Sequence, residues 1–209
     1  LGNSAENISF AATGAGKVSA AIPTLELIRQ LRPGWIIQLG CAGAYPGSGL
    51  GIEDVAIANV EIFADEGVET PEGFLSMRDL ELPQAARDGE LIFNEVPVDF
   101  PTAETIQEIR SSLGHQSRIE AGRFCTVSLG SGTDAASRRA EERWNPLAES
   151  MEGAAAALVA WRQRVRFSEI RGISNMTGDR NRESWKIAEA CEAAAAAAGV
   201  WIERERTQT

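Results

Sequence analysis

Histidine and cysteine are scarce in this chain, and their scarcity excludes several kinds of site. The 209 residues include one histidine, His115, and three cysteines, Cys41, Cys125 and Cys191, with no CxxC pair. A zinc centre is therefore not expected. His115 follows a predicted helix end, which favours a surface position, and no GxSxG motif is present to suggest a serine hydrolase. An odd number of widely spaced cysteines is typical of reduced thiols in a reducing compartment.

An excess of positive charge and long apolar runs are also absent from the sequence. The net charge is −10, whereas a nucleic-acid surface needs a basic stripe. No apolar run approaches the roughly 20 residues of a membrane span, and no signal peptide is visible. We therefore expect a cytoplasmic protein with neither a nucleic-acid nor a membrane partner. A hydrophobic content of 44% suits a globular chain with a buried core.

Apolar runs alternate with helical patterns along the chain. This alternation predicts an α/β fold, a three-layer α/β/α sandwich around a mixed, largely parallel central sheet. Thr102 and Asp134 are predicted helix N-caps. Residues 64–101 show little pattern and are expected to form a lid or a long excursion. Strands are predicted at 8–12, 35–39, 55–63, 124–129 and 167–173, and helices at 18–31, 103–113, 134–144, 154–165 and about 182–206.

The chain begins at Leu1 with a polar segment. We expect a single domain over residues 1–209 that lacks a first β-strand and turn, because this first segment is already polar and loop-like. The segments at 8–12, 18–31 and 35–39 predict one β-α-β unit.

Two glycine-containing segments follow predicted strands, at Thr13–Lys17 and Gly40–Ala44. The first matches neither GxxxxGK[ST] nor GxGxxG. It predicts either a tight turn that needs glycine or a site for a polar ligand at a helix N-terminus. The second would let a flat ligand lie against the backbone, or would permit close helix packing.

Polar residues before one helix and after one strand carry the candidate chemistry. Glu152 is either an acid favoured by the helix dipole or a carboxylate that binds two neighbouring ribose hydroxyls, with Met151 against the sugar. Asn175 follows a buried strand, at the end where α/β folds bind ligands. Its amide can present a donor and an acceptor side by side to a neutral ring.

Four motifs occur in order over nearly the whole chain: TGxGKVxAA at 13–21, GxAG at 40–43, ExMEGAA at 149–155 and RxISN at 171–175. Together they resemble the nucleoside phosphorylase and nucleosidase superfamily, nearest its methylthioadenosine/adenosylhomocysteine nucleosidase branch. The resemblance implies that Glu152 binds the ribose hydroxyls, Met151 lines the sugar and Ser174 supports the base-binding residue 175. It further implies a ribose and base edge at Cys41, Ala42 and Gly43, and backbone contacts to the purine from Val127 to Gly130.

The chain departs from the adenine-specific nucleosidases at Asn175, where they carry an aspartate that protonates N7 of the purine. An amide can instead pair with the O6 and N7–H edge of a 6-oxopurine. The segment Met176–Trp185 resembles the futalosine hydrolase branch, whose substrate carries a carboxyphenyl ketone. Arg180 or Arg182 would bind that carboxylate, unless both are merely solvated or paired with neighbouring acids.

The resemblance implies hydrolysis of futalosine to hypoxanthine in menaquinone biosynthesis, by a homodimer or higher homo-oligomer without a cofactor. It also implies a further glutamate that orients the attacking water, expected upstream of Leu1, with Asp179 as a substitute. The alternatives are a methylthioadenosine/adenosylhomocysteine nucleosidase, a 6-oxopurine phosphorylase, for which only Lys17 offers a cation, or a non-catalytic nucleoside-binding protein.

Overall fold

The computed structural model describes residues 8–113, 117–178 and 180–208. Two residues discussed above, His115 and Asp179, lie outside the described residues. Five α-helices are found in the described part: α1 (Lys17–Leu31), α2 (Ala103–Leu113), α3 (Asp134–Trp144), α4 (Gly153–Gln163) and α5 (Ile187–Gln208).

Ten strands accompany these helices. The long ones are β1 (Trp35–Ala44), β2 (Val55–Phe63), β8 (Ile119–Thr126) and β10 (Arg166–Met176). The short ones are β3 (Gly67–Thr70), β4 (Gly73–Ser76), β5 (Ala85–Arg87), β6 (Glu90–Ile92), β7 (Glu95–Pro97) and β9 (Ala148–Ser150).

Five strands form a closed ring. They pair in the order β10-β1-β9-β8-β2, and β2 pairs again with β10, so the sheet closes on itself as a barrel. The pairs β1–β10, β2–β8 and β8–β9 are parallel, whereas β1–β9 and β2–β10 are antiparallel. The α/β class and the mixed sheet are thus confirmed, but the three-layer sandwich is wrong, because the sheet closes into a barrel. Pairing of β2 with both β8 and β10 closes the ring, and periodicity along the sequence carries no information about such closure.

Small side chains fill the interior of the ring. All five ring strands contribute to one buried cluster, which consists of Ala42, Ala44, Leu50, Ala56, Ala58, Phe124, Ala148 and Ile173. Five alanines in a set of eight suit a narrow interior, since little space remains between strands that curve around it. The helices pack outside: α4 against α1, β2 and β10, α5 against β1 and β10, α2 against α5, and α3 against β8.

Several predicted element boundaries differ from the structure. Residues 8–12 form no strand and lie largely exposed, with Phe10 88% accessible, so the predicted β-α-β unit lacks its first strand within the described residues. The N-cap of α3 is Thr133, whose side chain accepts a hydrogen bond from the N–H of Ala136, and not Asp134. Thr102 does accept a hydrogen bond from the N–H of Thr105, as expected of a cap.

Gly40–Ala44 forms no turn, because β1 continues through it to Ala44. Strand β10 likewise continues to Met176, so Asn175 lies on a strand and not in a loop. The excursion at 64–101 contains two small hairpins, β3–β4 and β5–β6, and the edge strand β7. No helix within the described ranges has the length and apolarity needed to cross a membrane.

Candidate active site

A β-bulge shapes the end of β10 next to β1. Ala42 pairs with Ile173 and Gly43 pairs with Asn175, so Ser174 is an extra residue without a partner on β1. Such a bulge bends its strand and redirects the following side chains, and it often occurs beside functional sites. Here it sets the orientation of Asn175.

The Asn175 amide is held on both sides by its neighbours. The Ser174 hydroxyl donates to Oδ1 at 2.8 Å, and Nδ2 donates to the Met176 carbonyl at 2.9 Å. A primary amide has two N–H groups and two oxygen lone pairs, so one donor and one acceptor remain for a ligand. Gly43 makes room for this arrangement, since a Cβ there would lie 3.1 Å from Nδ2.

Glu152 is the N-cap residue of α4, yet its side chain does not cap that helix. Its Oε1 accepts a hydrogen bond of 2.9 Å from the backbone N–H of Gly16, at the start of α1. Its Oε2 accepts from Nη2 of Arg171 at 3.1 Å. The glycine segment Thr13–Lys17 therefore binds a carboxylate of the protein itself, and the dipole of α1 favours that charge.

Arg171 joins three parts of the site. Its Nε donates to Glu169 at 2.5 Å, its Nη1 to the Cys41 carbonyl at 3.1 Å and its Nη2 to Glu152. Burial lowers the pKa of Arg171, but the carboxylates of Glu169 and Glu152 raise it above its usual value, so the guanidinium stays charged. Gly40 permits this packing, because a Cβ there would lie 2.5 Å from Nη1.

The predicted edge at 41–43 presents mainly backbone. Cys41 offers its carbonyl to Arg171, while its thiol lies beside that of Cys191 on α5 and raises the pKa of the Cys191 thiol further, after burial. The carbonyl of Ala42 lies 3.3 Å from the Ser174 hydroxyl, and the Ala42 side chain faces the ring interior.

The N–H groups of residues 127–129 are already bound within the protein. Val127 is buried and donates its N–H to the Ser150 carbonyl at 2.9 Å. Ser128 and Leu129 donate theirs to the Asp65 carboxylate at 2.6 and 3.4 Å.

Glu149 lies beside the end of this segment. The Glu149 carboxylate accepts hydrogen bonds from the N–H and hydroxyl of Ser131 and from the Tyr45 hydroxyl at 2.6 Å. Gly130 is exposed beside it, with the Glu149 carboxylate 3.5 Å from the position of a Cβ.

Met151 lies at the surface next to Glu152, with 40% of its area accessible. An exposed thioether beside the carboxylate leaves an apolar contact free for a sugar face.

The loop after β10 is tied to the strand at both ends. Thr177 donates its N–H to the carbonyl of Ala44 on the neighbouring strand β1, and Lys186 donates its N–H to the carbonyl of Ser174 on β10 at 3.0 Å. The loop therefore folds back on β10, and Trp185 immediately precedes the residue bound to Ser174.

Two arginines of this loop lie over the Trp185 ring, with the guanidinium carbons of Arg180 and Arg182 5.0 and 5.9 Å from the ring centroid. Both side chains are exposed, and neither forms an ion pair with a carboxylate within residues 8–113, 117–178 or 180–208. The indole N–H of Trp185 is buried without an acceptor in the same part of the chain.

Sequence reasoning missed Arg171, Glu169, Glu61 and Trp185 as parts of the site. Arg171 stood inside the RxISN motif but received no role. A detectable signal was present, since the charged residues Glu169 and Arg171 stand among apolar residues in a segment that predicts a buried strand.

Comparison with known proteins adds three similarities. The phosphorylase superfamily matches residues 2–203. A futalosine hydrolase from Acidothermus cellulolyticus is 32% identical over 149 residues, which make up 70% of this chain and 57% of that protein. A futalosine hydrolase from Thermus thermophilus is 31% identical over 191 residues, 88% of this chain and 76% of that protein.

A solved structure is similar over most of the fold. It is a 5′-methylthioadenosine/S-adenosylhomocysteine nucleosidase from Neisseria meningitidis in complex with methylthio-immucillin-A, with a TM-score of 0.74 and 19% identity. The match covers 92% of this chain and 79% of that chain. At this identity the likeness bears on the fold alone.

Proposed function

Because this chain belongs to the phosphorylase superfamily, we propose that it is a nucleosidase that hydrolyses futalosine and releases hypoxanthine, as a step of menaquinone biosynthesis. The two similar futalosine hydrolases support this substrate, although the chain spans only 57% of the Acidothermus protein. The observation that carries the proposal is the oriented amide of Asn175.

The free edge of that amide complements a 6-oxopurine. The remaining N–H of Nδ2 would donate to O6, and the remaining lone pair of Oδ1 would accept from N7–H. Adenine presents a donor at its 6-amino group and an acceptor at N7, which would require the amide to be reversed. The Met176 carbonyl opposes that reversal, because it accepts a hydrogen bond from Nδ2 and has no proton to donate to Oδ1.

The sugar would bind over Glu152 and Met151. Cleavage of an N-glycosidic bond passes through an oxocarbenium-like sugar, so the enzyme must fix the ribose and stabilise the departing base. Glu152 is preorganised for this by the N–H of Gly16 and by Arg171. As the glycosidic bond breaks and its electrons move to the purine, N7 would take a proton from solvent, and Asn175 would stabilise the leaving base by accepting from that N7–H and donating to O6.

The 5′ substituent would lie against the loop that holds Arg180, Arg182 and Trp185. An aryl carboxylate would receive a charge-assisted contact from one guanidinium. The two guanidinium groups are available for this contact because neither pairs with a carboxylate within the described residues, where both lie over the Trp185 ring.

The ion pairs of Lys17 favour hydrolysis over phosphorolysis, because they occupy the cation that a phosphate would need. Its ammonium group forms ion pairs with Asp65 and, at 3.1 Å, with Glu66. Burial raises the pKa of Asp65, but Lys17 and the N–H of Ser128 lower it by more, so the Asp65 carboxyl is ionised at neutral pH. A lysine already neutralised by two carboxylates is a poor phosphate ligand.

The same proposal includes a cytoplasmic location and self-association as a homodimer or higher oligomer. The three cysteines are free thiols, as expected in a reducing compartment. Helix α1 exposes Val18 and Ile22, which lie one turn apart on the same side of the helix and offer an apolar contact to a second copy. Light scattering at several concentrations measures the oligomeric state.

The decisive experiment offers the protein futalosine, inosine and methylthioadenosine, each with and without phosphate, and separates the free bases by chromatography. We expect hypoxanthine from futalosine at a rate that phosphate does not change. Hypoxanthine from inosine only in the presence of phosphate would identify a phosphorylase, and adenine from methylthioadenosine would identify the other nucleosidase. Absence of any free base, with a nucleoside bound, would identify a binding protein.

A further inference from the structure

Two fully buried carboxyl groups lie behind Arg171. Glu169 on β10 accepts from Arg171 with one oxygen, and Glu61 on β2 accepts a hydrogen bond of 2.9 Å from the Thr126 hydroxyl. Neither carboxyl has any exposed surface. One oxygen of each, Oε1 of Glu61 and Oε2 of Glu169, has no hydrogen-bond partner within the described residues.

The two carboxyl groups meet at Gly153, the first residue of α4. A Cβ at Gly153 would lie 2.1 Å from Oε2 of Glu169 and 2.4 Å from Oε2 of Glu61. Only glycine leaves room for both groups at this point. The two acids are therefore neighbours, and each has an oxygen that needs a donor.

Two carboxyl groups buried together cannot both ionise at low cost. Burial raises the pKa of Glu61 well above its usual value, and the charge of Glu169 raises it further. The titratable groups that face Glu61 are Glu169 and Arg171 on β10 and Cys125 on β8, with Glu152 beyond Arg171. Arg171 is the only cation among these groups, and it already donates hydrogen bonds to two carboxylates, those of Glu169 and Glu152.

We propose that Glu61 is a positioning residue: it holds a proton, donates it in a hydrogen bond to Glu169, and thereby keeps Arg171 in the orientation that fixes Glu152. With Glu61 neutral, Glu169 carries a single negative charge and binds Nε of Arg171, while Nη2 stays on Glu152. A second buried negative charge would draw the guanidinium toward the acid pair and away from Glu152. The consequence for ribose binding rests on the function proposed above.

Replacement of Glu61 by glutamine or leucine separates this role from a purely structural one. Glutamine stays neutral and keeps a donor for Glu169, so we expect the KM of Glu61→Gln to stay within about threefold of wild type. Leucine removes the donor and leaves Oε2 of Glu169 without a hydrogen bond, so we expect the KM of Glu61→Leu to rise about tenfold or more, with a smaller change in kcat. Equal impairment of both variants, or a wild-type KM in Glu61→Leu, overturns the proposal.

A matched control removes stability without touching the acid pair. Ile109 is fully buried on α2, and Ile109→Val deletes one methyl group there. This variant should lose stability and keep its KM. If Glu61→Leu does not fold, the pH profile decides: the KM of wild type should rise as Glu61 ionises at high pH, and that of Glu61→Gln should stay flat. A rise in KM at high pH in both wild type and Glu61→Gln contradicts the proposal that Glu61 shares a proton with Glu169.

A measurement without substrate keeps this inference apart from the proposed function. An ordinary carboxyl is ionised at about pH 8, so infrared spectroscopy at that pH should show a protonated carboxylic acid in wild type that is missing in Glu61→Gln. The Arg171 Nε–H resonance should move in Glu61→Leu and stay in Glu61→Gln. If no nucleoside is cleaved but both spectra behave in this way, the proposed function fails and the positioning role stands. Absence of the acid band in wild type removes the positioning role even from an active enzyme.

Discussion

Asn175 concentrates the base recognition of this site in one amide. Replacement by alanine removes both of its free hydrogen-bonding groups, so we expect kcat for hypoxanthine release to fall by about 10²- to 10³-fold. Stopped assays of futalosine turnover measure this loss. Asn94→Ala serves as a control, because it removes a buried asparagine that holds backbone carbonyls at Phe63 and Glu66, outside the proposed site. Near-normal turnover in Asn175→Ala would remove this residue from the mechanism.

The change Asn175→Asp tests discrimination between bases. A carboxylate cannot donate to O6, but a carboxylic acid can protonate N7 of adenine. We therefore expect the ratio of adenine to hypoxanthine release to rise by about tenfold or more. Competition between methylthioadenosine and futalosine in one reaction gives this ratio directly, and an unchanged ratio contradicts our assignment of base choice to residue 175.

At the scale of single residues, the sequence motifs predicted which residues form the candidate site, and the structure supplied their geometry. The family resemblance implied that Ser174 supports residue 175, and a hydrogen bond of 2.8 Å joins the two side chains, while their role in base binding stays a prediction. The bulge could not be predicted, because it depends on the register between β1 and β10 and not on composition. Glu61 and Glu169 lie far apart in sequence, and only the folded ring makes them neighbours.

Among the elements, strand β1 depends on a glycine next to Arg171. Gly40→Ala would place a methyl group 2.5 Å from Nη1 and displace the guanidinium from Glu152. We expect a loss of about 1–3 kcal/mol in the free energy of unfolding together with a higher KM. Gly34→Ala, with nothing within 4 Å of the added carbon, is the matched control. Equal effects from both substitutions would show that backbone entropy, and not Arg171, is responsible.

Helix α5 offers the opposite case. A Cβ at Gly199 meets nothing within 4 Å, and alanine is favoured over glycine inside a helix. We expect Gly199→Ala to raise the free energy of unfolding by about 0.5–1 kcal/mol. Urea denaturation measures this gain. Gly172→Ala should instead prevent correct packing, because its Cβ would lie 1.9 Å from the carbonyl oxygen of Ala190 on the same helix.

Element types were predicted better than their ends. Helices α1 to α5 were all expected, since apolar spacing and alanine content are local signals. Strands β1 and β10 extend further than predicted, because Gly40–Ala44 and Ser174–Met176 carry polar or small residues that locally favour a turn. Their pairing with each other outweighs that preference. Strand β9 has three residues and no local pattern to reveal it.

At the scale of the whole molecule, the buried acid makes stability depend on pH. Glu61 has a usual pKa of 4.5, and burial raises that pKa in the folded state. Between the two pKa values the folded state binds more protons than the unfolded state, so stability falls as pH rises through that window. Glu61→Gln does not take up this proton. Its free energy of unfolding relative to that of wild type should therefore increase from about pH 5 toward pH 8. Urea denaturation across this range tests the sign, and a shrinking difference contradicts a protonated Glu61.

Closure of the strands into a ring has a consequence for solubility at high concentration. Unpaired strand edges are templates for edge-to-edge aggregation. Each of the five ring strands has a neighbour on both sides, and β7 extends the ring at β2 as a strand of only three residues. That short strand carries Glu95 and ends at Pro97, a charge and a missing N–H that both hinder further pairing. Contact between copies through the main sheet thus has to use side chains, which resists the growth of cross-β fibrils.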